Sequence, residues 1–189
     1  MDHQRGKIIF LNGASSSGKS TVAVALQEVL KEPFWHYSID HFRDSKVIPW
    51  ARINGGEFDW KEMREPFFEG FHRCLPALAI AGNNLLVEHI VETALWRDRL
   101  LVLLRDFDVF FVGVHCPLPE LERREQERGD RQIGEAKRDF ETIHQLCQYD
   151  LEIDSTFSLI ENRETLHDAW KNRQTPSAFQ RMRSEFALD

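Results

Sequence analysis

Short runs of apolar residues alternate with longer amphipathic stretches along the chain. Most of the runs are apolar throughout, as strands covered on both faces of a sheet are. Polar residues, glycine or proline bound them. The pattern therefore predicts five buried strands, at residues 7–12, 34–39, 85–91, 109–116 and 151–155.

The stretches between the runs predict helices, because apolar residues recur in them at helical spacing. We expect helices at 19–31, 61–81 with a break near Pro76, 95–104, 119–128, 135–147 and 159–172, whereas 41–60 is expected to be irregular. Strands that alternate with helices imply crossover connections and a parallel sheet. The prediction is a three-layer α/β sandwich formed by one domain, residues 1–189.

The tail, residues 177–189, carries Phe179, Met182 and Phe186 on one helical face. We expect this face to pack on its own domain rather than on a second copy. The oligomeric state, monomer or homo-oligomer, stays open.

One loop carries the strongest chemical signal of the chain. Gly13-Ala14-Ser15-Ser16-Ser17-Gly18-Lys19-Ser20 matches the phosphate-binding pattern GxxxxGK[ST] without deviation, between a predicted strand and a predicted helix. The glycines let the backbone wrap an anion, and N–H groups of the loop and of the helix N-terminus point at it. Lys19 is expected to reach the β- and γ-phosphates and Ser20 to ligate Mg²⁺. Thr21 either extends the hydroxyl pair or is only a first-turn helix residue.

A phosphate loop alone occurs in kinases, GTPases, motors and transporter ATPases. With 189 residues the chain is too short for a motor, and it has neither an NKxD-type guanine-reading motif nor an ABC-type signature. What remains is a domain with the size and layout of a nucleotide or metabolite kinase.

Two carboxylates, Asp40 and Glu88, follow strands of the predicted sheet. Ligands of an open α/β sheet lie beyond the carboxyl ends of its strands. Asp40 is therefore a candidate general base for an acceptor hydroxyl, and Glu88 could hold a Mg²⁺-bound water or the acceptor. From the residues alone, it is equally open that Asp40 caps the next segment and that Glu88 is the buried partner of an arginine. His89 and Glu92 are weaker candidates at the same edge.

Four arginines lie close to Gly129 in the sequence: Arg123, Arg124, Arg128 and Arg131. On a lid, such residues can clamp a transferring phosphoryl group and exclude water. Because glutamates are interleaved with them, Arg123 and Arg124 are assigned to a solvated helix face. Arg128 and Arg131 flank the glycine and are assigned to a lid that spans 123–139.

Charge and cysteine usage exclude some classes of protein. The net charge is −7 and the pI is about 5.6. An acidic protein is a poor electrostatic match for a nucleic acid, so a nucleic-acid partner is not expected. The three cysteines are far apart and show no CxxC spacing, so neither a disulfide framework nor a zinc site is expected. There is no signal-peptide pattern and no apolar run long enough to span a membrane. The expected location is the cytoplasm.

Taken together, these motifs resemble the chloramphenicol phosphotransferase-like family of P-loop kinases. The resemblance covers residues 7–170 and rests on IIFLNGASSSGKST at 8–21, Asp40, VGVHC at 112–116, ERGDRQIGEAK at 127–137, His144 with Tyr149-Asp150, and LEIDST at 151–156. It implies a sheet in the order 2-3-1-4-5. It also implies that Asp40 is the general base, that Glu88 occupies the family's acidic position after the third strand, and that Arg128 and Arg131 contact nucleotide phosphates.

The resemblance is weakest in the acceptor-binding region, 41–82, and after Glu88. It therefore implies ATP- and Mg²⁺-dependent transfer to a hydroxyl of a small molecule and leaves open whether that molecule is chloramphenicol or another antibiotic. Trp50, Trp60 and Trp96 either line the acceptor pocket or fill the core. The alternatives are a toxin-like kinase of a nucleotide sugar or RNA, and a nucleotide-binding regulatory module without turnover.

Overall fold

The computed structural model describes residues 4–128 and 134–188. A parallel sheet of five strands lies at its centre: β1 (Ile8–Asn12), β2 (Phe34–Ser38), β3 (Asn84–His89), β4 (Val109–His115) and β5 (Leu151–Asp154). The strand order is β2-β3-β1-β4-β5, and every neighbouring pair is parallel. This architecture confirms the predicted α/β fold and its strand order.

Helices cover both faces of the sheet. They are α1 (Lys19–Gln27), α2 (Ile39–Asp44), α3 (Trp50–Asn54), α4 (Trp60–Ile80), α5 (Ala94–Leu103), α6 (Leu118–Arg128), α7 (Glu135–Thr142), α8 (Leu159–Lys171) and α9 (Ala178–Glu185). A 3₁₀ turn, Ile143–Leu146, follows α7, where a single helix over 135–147 was predicted. None of the helices in the described ranges is long and apolar enough to cross a bilayer.

The predicted break near Pro76 is wrong, because α4 runs without interruption through Pro66 and Pro76. A proline inside a helix removes one backbone hydrogen bond. The side chains of Phe71 and Leu75 are buried against the sheet, and we attribute the continuity of α4 to this tertiary contact, which outweighs the local cost.

The prediction of an irregular 41–60 segment is also corrected, since α2 and α3 lie in or next to it. The Ser38 hydroxyl accepts the backbone N–H of Asp40 at 3.2 Å and so caps α2 directly at the end of β2. Asp40 therefore lies in the first turn of a helix and not at the end of a strand.

Alternate residues of the strands face opposite sides of the sheet, and two cores result. Ile8, Phe10 and Phe111 face α4, α5 and α9, whereas Ile9, Leu11 and Val112 face α1 and α8. Trp96 is 1% exposed in the first core, so it fills the interior and does not offer a free ring to a ligand.

Helix α9 packs on the first core. Phe179 and Met182 are buried, and the Phe179 ring lies 5.1 Å from that of Phe111. Asp150 ties the helix to the sheet, because one of its carboxylate oxygens accepts the N–H of Ala178 and the other accepts that of Phe111. The structure thus places the helical face of the tail within its own chain.

Candidate active site

The phosphate-binding loop joins β1 to α1, as its sequence predicts. Gly18 immediately precedes α1 with φ = 90°, a left-handed conformation that favours glycine. Gly13 is required for a different reason, because a Cβ at this position would lie 2.5 Å from the Val114 carbonyl oxygen. The loop therefore passes close to β4, and Ser15 and Ser17 are buried within it.

Lys19 opens α1 and folds back over the loop. Its Nζ donates to the carbonyl oxygens of Gly13 and Ala14, each at 2.8 Å. Ser20 follows in the first turn, with its hydroxyl next to the end of β3. The positive charge of Lys19 and the backbone of the loop therefore lie together at a cleft. An anion-binding site requires both.

This cleft has a volume of about 580 Å³ and lies beyond the carboxyl ends of the strands. We call one side the nucleotide half; it is formed by the loop, 15–21, with Arg124, Arg128, Ser155 and Phe157. The other side, the acceptor half, is formed by Asp40, Arg43, Trp60, Arg64, Phe68 and Glu92. All the predicted phosphate-loop residues from Ser15 to Thr21 line the cleft, whereas Gly13 and Ala14 lie behind it.

Glu88 lies between the two halves and is 5% exposed. Its Oε1 accepts the Ser20 hydroxyl at 3.0 Å, and its Oε2 lies 3.4 Å from His36 Nε2. Burial alone would raise the pKa of Glu88, but hydrogen bonding to His36 and Ser38 and the charge of Lys19 outweigh it and lower the pKa to about 2. Glu88 is thus a buried carboxylate that stays ionised at neutral pH.

The Ser20 and Glu88 pair fits a Mg²⁺ ion. A hydroxyl and a carboxylate oxygen are hard ligands, and Mg²⁺ commonly takes only one or two protein ligands, with waters and phosphates completing its coordination. Among the described residues no group of three or more His, Cys, Asp or Glu side chains is arranged to bind a metal by itself. A Mg²⁺ ion at this place would therefore depend on the nucleotide as well as on the protein.

Asp40 faces the cleft from the first turn of α2, with its side chain 26% exposed. Arg43, one turn further along, approaches it at 3.4 Å. The capping alternative is answered by Ser38, which caps α2 with its own side chain. Asp40, from the first turn of α2, and Glu88, near the end of β3, therefore reach the same cleft, although 48 positions of sequence separate the two residues.

Aromatic rings form the floor of the acceptor half. Phe68 lines the cleft and stacks on Trp96 at 4.4 Å. The Trp60 ring lies 4.9 Å from that of Trp50, and only Trp60 of this pair lines the cleft. The acceptor half thus offers flat apolar surface next to charged groups.

Two buried histidines contact each other next to these aromatic rings. The Nε2 atoms of His72 and His89 are 3.0 Å apart. Burial lowers the pKa of His72 to about 4 and lowers the pKa of His89 well below its ordinary value. Both rings are therefore neutral at physiological pH. His89 and Glu92, the weaker candidates from the sequence, do line the cleft.

The four predicted arginines do not share one environment. Arg123 is half exposed and pairs with Glu120 and Glu127, as its assignment to a solvated face predicts. Arg124 was assigned to the same face but lines the cleft, where it donates to the Ser155 hydroxyl at 3.0 Å. Arg128 also lines the cleft. Arg131 lies outside the described residues.

Several cleft residues carried no signal in the sequence. Arg43 and Arg64 lie in the least family-like region, and Arg138 and Asp139 lie in α7, beyond the conspicuous arginines. Phe157 follows the LEIDST segment and is 64% exposed at the cleft. An apolar side chain directly after a strand end was the one feature that could have indicated it.

Comparison with known proteins assigns most of the chain to a family. The family model described as "Chloramphenicol phosphotransferase-like protein" matches residues 6–171. Two proteins of Mycobacterium tuberculosis, from strains CDC 1551 / Oshkosh and ATCC 25618 / H37Rv, are each named "Putative O-phosphotransferase". They are 30% identical to this chain over an alignment 201 residues long. The alignment covers 96% of this chain and 89% of each relative.

Solved structures show the same fold at lower identity. The APS kinase of Mycobacterium tuberculosis, in complex with AMPPNP and APS, has a TM-score of 0.65 at 22% identity and covers 88% of this chain and 98% of its own. The shikimate kinase of Acinetobacter baumannii, in complex with shikimate, has a TM-score of 0.57 at 17% identity, covering 89% and 96%. At this identity the likeness concerns the fold alone.

Proposed function

Because the chain belongs to the chloramphenicol phosphotransferase-like family, we propose that it transfers the γ-phosphate of ATP, with Mg²⁺, to a hydroxyl group of a small molecule. Family membership makes the chain a phosphotransferase of the P-loop kinase type. The nucleotide, the metal and the acceptor are the proposed parts. One observation carries the proposal: a single cleft brings the phosphate loop, the Ser20–Glu88 pair and Asp40 together.

The nucleotide half would hold the phosphates. Backbone N–H groups of the loop and of the first turn of α1 surround the phosphate chain, apart from those of Ser15 and Ser17, which donate to Asp139 and to the Ala14 carbonyl oxygen. Lys19 exchanges its carbonyl partners for β- and γ-phosphate oxygens. Arg124 and Arg128 face the same space and add positive charge. The exposed Phe157 ring offers a flat surface for the base of the nucleotide.

Ser20 and Glu88 would hold the Mg²⁺ ion. The metal, when bound, neutralises charge on the β- and γ-phosphates. Glu88 is suited to this role because it is ionised throughout the neutral range and is fixed by the Ser20 hydroxyl. The positive charge of a bound Mg²⁺ ion would also compensate the buried negative charge of Glu88 next to the phosphate loop.

Asp40 would act on the acceptor. Its carboxylate orients the hydroxyl and accepts the proton as the oxygen bonds to the γ-phosphorus; the bond from that phosphorus to the bridging oxygen breaks, and ADP leaves. Arg43, at 3.4 Å, holds the carboxylate in place. Most of the acceleration would come from positioning and from charge complementarity in the cleft.

A phosphoryl-transfer screen tests the proposal. The protein, Mg²⁺ and γ-labelled ATP are incubated with hydroxyl-bearing antibiotics including chloramphenicol, sugars, nucleosides and nucleotide sugars. Lys19→Ala is the inactive variant, and Lys7→Ala is the matched control, because Lys7 pairs with Glu32 away from the cleft.

We expect label in one acceptor class with the unmodified protein and Lys7→Ala, and none with Lys19→Ala. Label that appears equally with Lys19→Ala would contradict the proposal. So would a failure of the protein to bind a non-hydrolysable ATP analogue.

A further inference from the structure

Asp139 is a buried carboxylate next to the phosphate-binding loop. It lies on α7 and is 1% exposed. Its Oδ2 accepts the backbone N–H of Ser15 at 3.1 Å. A buried acid beside a site for polyphosphate is unfavourable unless a positive group compensates it.

The compensating group is Arg138, the preceding residue. Its Nη2 and Nε donate to the other oxygen of Asp139, Oδ1, at 3.0 and 3.3 Å. The Arg138 side chain is 61% exposed, and it lines the cleft together with Lys19 and Ser15. One carboxylate therefore connects a loop amide to the guanidinium of an arginine that lines the cleft.

Neighbouring groups fix this arrangement. Both oxygens of Glu125, on α6, accept backbone N–H groups at the start of α7, those of Gly134 and Ala136, at 2.8 and 2.9 Å. The other carboxylates that act on Arg138 are Glu92 and Glu135. Glu92 already accepts Arg64 at 2.6 Å. Of these carboxylates, Asp139 is the one that bonds both Arg138 and the loop.

We propose that Arg138 contacts the γ-phosphate of the bound nucleotide and that Asp139 is the positioning residue which holds its guanidinium over the loop. The inference rests on the proposed function and extends it to two residues at the end of the predicted lid, 123–139, that the sequence did not single out. An arginine binds a phosphate through several N–H groups in a fixed plane, and a second partner on its far side keeps that plane oriented.

The test compares the affinities for ADP and for the non-hydrolysable analogue AMPPNP, measured by calorimetry with Mg²⁺ and without acceptor. Arg138→Ala should weaken AMPPNP binding by about ten-fold and change ADP binding by less than about two-fold, because only AMPPNP carries the third phosphoryl group. Asp139→Asn should act in the same direction with a smaller loss, and Arg138→Lys should restore part of the affinity. The double variant Arg138→Ala with Asp139→Asn should lose no more than Arg138→Ala alone.

Arg123→Ala is the matched control, since Arg123 is an exposed arginine that pairs with Glu120 and Glu127 outside the cleft; its two affinities should not change. If Arg138→Ala leaves the ratio of the two affinities unchanged, the inference is overturned. If Asp139→Asn weakens ADP and AMPPNP equally, its role is to shape the loop and not to position Arg138. An unmodified protein that binds neither nucleotide would instead refute the proposed function itself.

Discussion

The two halves of the cleft are formed in different ways. The nucleotide half centres on consecutive residues, 15–21, whose backbone is fixed by the glycines of the phosphate loop and by the strand and helix on either side. The acceptor half collects side chains from α2, α4 and the end of β3. In the proposed function, phosphate recognition is thus local and depends on main-chain groups, whereas acceptor recognition depends on how distant helices pack.

The start of the phosphate loop is also less exposed than the acceptor half. Ser15 and Ser17 are buried in the loop, whereas Trp60, Arg64 and Arg43 are partly exposed at the opposite wall. A buried, main-chain site tolerates few substitutions, because each one changes backbone geometry. A wall of partly exposed side chains can change its specificity without disturbing the loop. We therefore expect substitutions in the two halves to have separable effects on nucleotide and acceptor.

The largest effect is expected from a substitution of Asp40, which should change turnover and leave nucleotide binding intact. Asp40→Asn should lower kcat by about 10²- to 10⁴-fold, because the amide cannot accept the proton of the acceptor hydroxyl. AMPPNP affinity should stay within about two-fold, since Asp40 belongs to the acceptor half. Steady-state kinetics with the acceptor found by the screen, together with calorimetry, measure both quantities.

Asp44→Asn is the control for this prediction, because Asp44 ends the same helix but does not line the cleft. Near-normal turnover in Asp40→Asn would show that the acceptor half supplies no base. A parallel loss of AMPPNP affinity would show that the two halves are not independent.

An intermediate effect is expected at the boundary between the halves. Glu88→Gln should raise the Mg²⁺ concentration needed for half-maximal AMPPNP binding by about ten-fold, because the charged oxygen is lost while the side-chain shape is kept. Magnesium titrations followed by calorimetry measure this shift. Glu32→Gln, an exposed glutamate paired with Lys7, should leave the titration unchanged. An unchanged titration in Glu88→Gln would remove Glu88 from the metal site.

The same variant has a pH signature. The folded-state pKa of Glu88, about 2, lies below its ordinary value of 4.5, so its ionisation stabilises the fold above pH 4.5 and this contribution is lost as the pH falls toward 2. The difference in unfolding free energy between the unmodified protein and Glu88→Gln should therefore be constant above pH 5. It should shrink by up to about 3 kcal/mol below that pH. Urea unfolding at a series of pH values measures this; a difference that grows on acidification would contradict the ionised state.

The smallest effect is expected at the outer end of the nucleotide half. Phe157→Ala should raise the KM for ATP by about three- to ten-fold with little change in kcat, because the ring offers stacking area and takes no part in the chemistry. Ile160→Ala is the control, as Ile160 is equally prominent on the surface but does not line the cleft. An equal response of both variants would mean that Phe157 does not touch the nucleotide.

The contrast between the halves also explains what could be predicted from the sequence. The loop, the strands and the strand order follow from local patterns and from the family resemblance, and the structure confirms the fold. Ser20 and Glu88 were both candidates for the metal, and the implied strand order made β1 and β3 neighbours. That the Ser20 hydroxyl lies 3.0 Å from Glu88 Oε1 depends on the register of these strands, which residue spacing along the chain does not encode.

The errors have physical causes of the same kind. Arg123 and Arg124 have the same charged neighbours in sequence, but successive residues of a helix point about 100° apart, so one faces solvent and the other the cleft. The prolines of α4 signal a break only where packing does not hold the helix together. Arg138 and Asp139 become meaningful only once α7 lies against the loop.

Helix α9 belongs to the folded core although it lies outside the segment that the family model matches. The family model ends at residue 171, yet Phe179 and Met182 lie beyond it and are buried against the strands that flank the phosphate loop. Burying two such side chains stabilises a fold by several kcal/mol, an appreciable share of the stability of a small protein. The span that the family model matches is therefore shorter than the span that packs into this core. A fragment trimmed to residues 6–171 would keep every predicted site residue and expose the apolar face of the sheet that α9 covers.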